Sequence, residues 1–179
     1  MNVLVISGSS RRGSINTRLA HVVAELRPSD TVTVYDGLTR LPFYDADLEA
    51  AGAPAEVQDL RAAVAAADAV VVTTPEYNGT IPGLLGNALD WLSRPHGRSV
   101  FSGKPALVLT ASPSPGGGAQ AAAHLRTVLT RIGADVRPGL SVPAAHRRLS
   151  AEPDRLLLAE LDALLADALD TELRAAQVA

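Results

Sequence analysis

Three short runs of the chain are apolar at every position: Val3-Leu4-Val5-Ile6, Ala69-Val70-Val71-Val72 and Ala106-Leu107-Val108-Leu109. Unbroken apolar runs of this length predict strands buried on both faces, as in parallel sheets. Thr31-Val32-Thr33-Val34-Tyr35 instead alternates, which predicts a half-exposed strand at a sheet edge. A weaker strand is expected around residues 134–137. Between the strands, apolar residues recur at helical spacing. The first set is Ile15, Leu19, Val22, Val23 and Leu26; the second is Val57, Leu60 and Val64. Leu84, Leu85, Ala88, Leu89 and Leu92 form the third, and Ala122, Leu125, Leu129 and Ile132 the fourth. A last helix is expected from about Glu152, with Leu157, Leu161, Leu164, Leu165, Leu169 and Leu173 on its apolar stripe. Ser14 stands where an N-cap belongs, Pro28 where the first helix stops, and Pro82 at the first position of the third. Residues 36–53 keep no period and read as a long loop with room for a short helical turn.

Strands alternating with helices imply right-handed βαβ units. With the fully apolar strands inside and the other two at the edges, the order is 2-1-3-4-5. The fold class is therefore α/β, a three-layer, doubly wound, parallel five-stranded sheet of the flavodoxin-like kind. A six-stranded dinucleotide-binding sheet would need another strand, which the pattern does not offer. The 179 residues, 47% of them hydrophobic, are expected to form one domain over 1–179.

Ligands of such sheets bind beyond the carboxyl ends of the strands. Three loops leave that edge, at residues 7–16, 73–82 and 110–119. All are rich in glycine, serine, asparagine or proline. Gly8-Ser9-Ser10-Arg11-Arg12-Gly13-Ser14-Ile15-Asn16 joins a buried strand to a helix N-terminus, where backbone N–H groups and the helix dipole favour an anion. It lacks the Gly-Lys-Ser/Thr ending of a Walker loop and the Gly-x-Gly-x-x-Gly of a dinucleotide loop. A plain polar turn capped by Ser14 is the competing reading. In the second loop, Pro75 and Pro82 stiffen the ends and Gly79 permits a positive φ. Glu76 reads as a solvated or backbone-capping carboxylate rather than a catalytic one. Tyr77 either stacks on a ring or covers the loop, and Asn78 suits a turn. The third loop has Ser112 and Gly116-Gly117-Gly118, which let a backbone approach a ligand closely or simply leave the loop flexible.

Composition narrows the chemistry. The chain has no cysteine, so disulfides, thiolate catalysis and cysteine-ligated metals are excluded. His21, His96, His124 and His146 have no ligand spacing, and no metal site is expected. A net charge of −3 announces neither a nucleic-acid surface nor a strongly acidic docking face. Val3–Ile6 is too short for a membrane span or leader, so a cytoplasmic protein is expected. Leu84, Leu85, Leu89, Trp91 and Leu92 spread over more than one face of their helix, a pattern that fits a subunit contact.

Two motifs in this chain resemble those of the NADPH-dependent FMN reductase family, flavodoxin-like reductases of quinones, flavins, azo compounds and chromate. One is Gly8-Ser9-x-Arg11-x-x-Ser14-x-Asn16. The other is Pro75-Glu76-Tyr77-Asn78-Gly79-x-Ile81-Pro82-Gly83, continued by Asn87-Ala88-x-Asp90-Trp91-x-Ser93-Arg94-Pro95. The resemblance covers roughly residues 1–135. It implies bound FMN, with NADPH or NADH as co-substrate. Ser9, Arg11, Ser14, Ile15, Asn16 and Thr17 would hold the phosphate and ribityl chain. Pro75, Glu76, Tyr77, Asn78 and Gly79 would run along the flavin ring, with Ser112 and Gly117 on its other side. It also implies a ping-pong reaction passing electrons to a quinone, free flavin or similar small acceptor, with no catalytic side chain required, and a homodimer or pair of dimers. A flavodoxin-type electron carrier without turnover is the alternative. Gly86 replaces a lysine common in the family, and the third loop lacks an arginine often found before Gln120. NADPH is therefore not distinguished from NADH.

Overall fold

A computed structural model describes residues 1–150 and 152–176, with side-chain surroundings through Leu169. The chain runs β1 (Asn2–Ser7), α1 (Ile15–Leu26), β2 (Thr31–Tyr35), a 3-10 turn (Leu38–Arg40), α2 (Ala46–Ala50), α3 (Ala55–Ala66), β3 (Ala69–Thr74) and α4 (Gly83–Leu92). It continues through β4 (Pro105–Ala111), α5 (Ala119–Arg131), β5 (Asp135–Val136), β6 (Leu140–Val142), α6 (Ala145–Arg148) and α7 (Arg155–Ala176). All strand pairs are parallel, in the order β2-β1-β3-β4-β5. The flavodoxin-like order expected from the apolar patterns is thus present.

Strand alternation divides the core into two layers. Leu4, Ile6, Val70, Val72, Ala106 and Val108 face the layer containing α3, α4 and α5. Val3, Val5, Ala69, Val71, Leu107 and Leu109 face α1 and α7. Every residue of β3 and β4 is buried, whereas β2 alternates between exposed and half-buried positions as an edge strand should.

Three details differ from the pattern-based expectation. The fifth sheet position is shared by two short strands: β5 pairs with Pro105 and Ala106, and β6 with Leu109–Ala111. Pro138-Gly139 separates them, and a Cβ at Gly139 would lie 2.1 Å from the Val108 carbonyl oxygen, so the jog requires glycine. The third helix starts at Gly83, with Pro82 as its N-cap rather than its first residue. The last helix starts at Arg155, because Asp154 caps it by accepting the Leu156 N–H at 2.8 Å. Leu157, Leu161, Leu165 and Leu169 are buried on its stripe, and Leu173 lies outside the described side chains.

The breadth of the apolar face on α4 has an internal cause. Leu85, Leu89, Trp91 and Leu92 are all buried within the chain, and only Leu84 is partly exposed. The loop before α2 covers the second face. Asn87 donates to the Pro42 carbonyl at 2.9 Å and accepts from the Tyr44 N–H at 2.7 Å, while the Trp91 indole N–H also donates to Pro42. The pattern that fitted a subunit contact is therefore satisfied inside one protomer. Among the described residues, no helix is long and apolar enough to cross a membrane.

Candidate functional site

The loops after β1, β3 and β4 meet in one cleft of about 390 Å³ at the carboxyl edge of the sheet. The first loop supplies Ser9, Arg11, Ser14, Ile15 and Asn16; the second supplies Pro75, Glu76 and Tyr77. Ser112 closes the third side, with Ala111 and Pro113, two residues not singled out from sequence. Thr17, Asn78, Gly79 and Gly117 do not line this cleft.

The first wall starts at α1. Ser14, extended at φ −64° and ψ 131°, caps the helix by accepting from the Asn16 and Thr17 N–H groups at 3.2 and 3.3 Å. The capping reading is therefore realised, and it leaves the serine O–H free to donate. Ser9 is buried, whereas Arg11 is exposed and gives one N–H to the Gly13 carbonyl at 3.2 Å. A guanidinium has five donors, so four remain for an anion. This end of the cleft therefore combines hydroxyls and a cation at a helix N-terminus.

Asn16 and Thr17 do something different. The Asn16 side chain donates to the Ala111 carbonyl and accepts from the Ala111 N–H, both at 2.9 Å. The Thr73 hydroxyl donates to the Asn16 carbonyl at 2.9 Å, and Thr17 shares a 2.8 Å hydrogen bond with Ser7. Asn16 thus fastens the start of α1 to the end of β4, fixing the first loop relative to the third. Nothing local in the sequence indicates a partner 95 residues away.

The second wall is a tight hairpin. Tyr77 and Thr80 exchange backbone hydrogen bonds of 2.9 and 3.0 Å around Asn78 and Gly79. Both central residues have positive φ, 53° and 73°, which is the Asn-Gly signature of a two-residue primed turn. A Cβ on Gly79 would also lie 2.7 Å from the Gln120 side-chain oxygen. Gly79→Ala should destabilise the protein by about 1–2 kcal/mol, the usual cost of a left-handed non-glycine residue. Urea unfolding checks this, and adding Gln120→Ala should not restore the loss, because the strain is in the backbone.

Glu76 ties this hairpin to the third wall. The α5 N-cap, Gly118, has no side chain to offer. The Glu76 carboxylate accepts instead from the Gln120 and Ala121 N–H groups, at 3.0 and 3.1 Å. Thr80 and His124 are hydrogen-bonded one turn further along α5. Glu76 is thus the cap of a helix 44 residues away, the second of the two roles its sequence allowed. Tyr77 is half-exposed over the cleft. Ser112 bonds with Ser114 at 3.0 Å. Gly117, at φ 61°, is buried against the backbone of residues 141–143, and its carbonyl accepts from the Thr110 hydroxyl at 2.8 Å. Among the described residues, no group of three acidic or histidine side chains is arranged to hold a metal.

The cleft is therefore cationic and hydroxyl-rich at one end, and walled by main chain, proline and Tyr77 at the other. That division fits the phosphate and flat ring of a flavin mononucleotide. Comparison with known proteins points the same way. Residues 1–147 match the sequence profile described as "NADPH-dependent FMN reductase". That extent passes the limit of about residue 135 reached by the motifs. A 2-hydroxy-1,4-benzoquinone reductase from a Burkholderia species is 41% identical over 128 residues, 72% of this chain and 69% of the relative. A quinone reductase of Escherichia coli K12 is 39% identical over 138 residues, 76% and 73% of the two chains. Among solved structures, the flavoenzyme NAD(P)H:(acceptor) oxidoreductase FerB of Paracoccus denitrificans superposes with a TM-score of 0.83. Its identity is 32%, and the match covers 94% of this chain and 95% of FerB.

Proposed function

The chain belongs to the NADPH-dependent FMN reductase family, and from that premise we propose that it is a single-domain, FMN-holding NAD(P)H oxidoreductase. Its acceptor in this reading is a quinone, a free flavin or a similar small molecule. The supporting observation is the convergence of three strand-end loops on one cleft with an anion-accepting end and a flat-walled end.

Ser9, Arg11 and Ser14 would hold the phosphate. Ile15 would lie beside the ribityl chain, and Pro75, Tyr77 and Ser112 would flank the ring. Bound there, FMN would supply the hydride chemistry between NAD(P)H and an acceptor that uses the same cleft in turn. The protein contributes orientation and fixed dipoles. Asn16 and Glu76 keep the three walls at constant spacing. Pro75 and Pro113 carry no N–H, and those of Tyr77 and Ser112 go to the Thr80 and Val142 carbonyls, so the Glu76 N–H is the main-chain candidate in these two loops to stabilise charge on a reduced ring. Asn78 and Gly79 serve by shaping the hairpin, Thr17 by anchoring α1, and Gly117 by packing under the third loop.

No side chain is needed as an acid or base in this scheme. Glu76→Gln should therefore retain flavin and most of the turnover, since an amide oxygen still accepts the two α5 N–H bonds. Glu76→Ala, which leaves α5 uncapped, should cost about 1 kcal/mol of stability. Steady-state kinetics with NADPH and NADH, together with thermal melting, check both. A Glu76→Gln protein that stays yellow but is inactive would contradict a reaction without a protein base. Cytoplasmic location and self-association as a homodimer or homotetramer belong to the same proposal. Sedimentation of the flavin-loaded protein tests the assembly.

A further inference from the structure

A second cavity, about 450 Å³, adjoins the phosphate end of the flavin cleft and runs on past it along α1. The two cavities share Ser9, Arg11 and Ser14. From that shared wall the flavin cleft extends toward β3 and β4, and the second groove extends the opposite way, toward β2. It follows one face of α1 through Arg18, His21, Val22 and Glu25, with Arg12 above it, and ends at Asp36 and Thr39. Asp36 is the first residue after β2, at the carboxyl edge of the sheet.

The lining is mixed in a specific way. Arg12 and His21 offer cationic or hydrogen-bonding groups near the phosphate loop. Val22 is a buried apolar floor, and exposed Glu25 and Asp36 are acceptors further out. A site for a simple anion, or for a nucleic-acid backbone, gains nothing from two carboxylates. A ligand with a phosphate, an apolar base and a sugar diol uses all three classes of group. The topology supports the same ligand: in doubly wound sheets that take dinucleotides, phosphate sits after the first strand and an acidic residue after the second accepts from the ribose hydroxyls. This chain lacks the glycine fingerprint of those proteins but has their arrangement of loop, strand and acid.

We propose that this groove binds the adenosine 5′-phosphate half of a dinucleotide, directly beside the flavin phosphate site. Arg12 takes the phosphate, Val22 lies under the adenine, and Asp36 accepts from the ribose diol. The proposal rests on the reading that Ser9, Arg11 and Ser14 hold a flavin phosphate. Two dinucleotides carry the required half: FAD, bound in place of FMN, and the NAD(P)H co-substrate.

The test uses Arg12→Ala and Asp36→Ala, both at exposed positions outside the flavin cleft. Apoprotein is titrated with FMN and with FAD, following flavin fluorescence, and the FMN-loaded protein is assayed for its KM with NADPH and NADH. If FAD is the source, wild type binds FAD at least as tightly as FMN. Each variant then weakens FAD about tenfold and leaves FMN unchanged. If the co-substrate is the source, FMN binding is again unchanged, and each variant raises the KM for NADPH or NADH about tenfold without lowering kcat. The proposal is overturned if neither FAD affinity nor either KM responds to the two substitutions. Failure of wild type to bind FMN at all would instead remove the reading on which it rests.

Discussion

Arg11→Ala lowers the affinity for FMN by roughly 10- to 150-fold, the equivalent of about 1.5–3 kcal/mol for a hydrogen bond to a charged group. Arg11 is the guanidinium lining the cleft beside the α1 N-terminus, and its side chain is exposed and gives one bond to the Gly13 carbonyl. Its removal therefore leaves little unsatisfied within the protein, and the melting temperature without flavin should hardly move. Arg12→Ala is the control. Arg12 is adjacent in sequence and equally charged but does not line the flavin cleft, so FMN affinity should stay near wild type. Fluorescence titration of apoprotein separates the two. Equal losses for both variants would mean a diffuse electrostatic effect rather than a phosphate contact. Raised salt should also weaken FMN less in Arg11→Ala than in wild type, because one screened charge pair is gone.

Asn16→Ala destabilises the protein itself by about 3 kcal/mol. Both polar groups of its amide are used on Ala111, and both partners are buried. Truncation leaves an N–H and a carbonyl without partners, at about 1–3 kcal/mol each. For a chain of this size the melting temperature should fall by about 6–12 °C. Asn16→Asp should recover little, since the carboxylate still accepts from the Ala111 N–H but faces the Ala111 carbonyl with a second acceptor. FMN affinity should fall as well, because the first and third walls lose their common anchor. Family resemblance alone would make Asn16 a flavin ligand, and that role predicts the reverse: apoprotein stability unchanged and only affinity reduced. Melting curves with and without FMN distinguish a positioning residue from a ligand.

These residues also mark where the sequence was informative. The buried parallel strands were legible because complete apolarity over four residues has one economical explanation in an α/β chain. The order of the sheet followed from the alternation in β2. Ser14 was legible because a cap is decided within one helical turn. The roles of Asn16 and Glu76 were not, because their partners are Ala111 and the start of α5, brought near only by the folded sheet edge. Local pattern also gave no sign of what covers the second apolar face of α4 within the chain. That face is covered by the loop carrying Pro42 and Tyr44, and a loop without periodicity gives no sign of what it packs on. β5 was read only as a weak strand and β6 was missed for a similar reason: segments of two and three residues have no measurable period. The three-loop cleft was readable because its loops leave adjacent strands on the same edge, which strand order alone determines.

The second loop, with its glutamate and tyrosine, is thus chiefly a shaped surface. Its hairpin geometry comes from Asn78-Gly79, and its spacing from the third wall comes from the Glu76 cap on α5. What remains for chemistry is the surface those contacts hold still. The most direct measurement is an anaerobic titration of the FMN-loaded protein with NADPH and, separately, NADH, followed by addition of a quinone. The expected result is loss of the flavin's visible absorbance as one equivalent of reduced nicotinamide is consumed, and its return when the quinone is added. A protein that binds FMN but keeps it oxidised under both nicotinamides would be a flavin-binding carrier rather than a reductase, and would contradict the function proposed here.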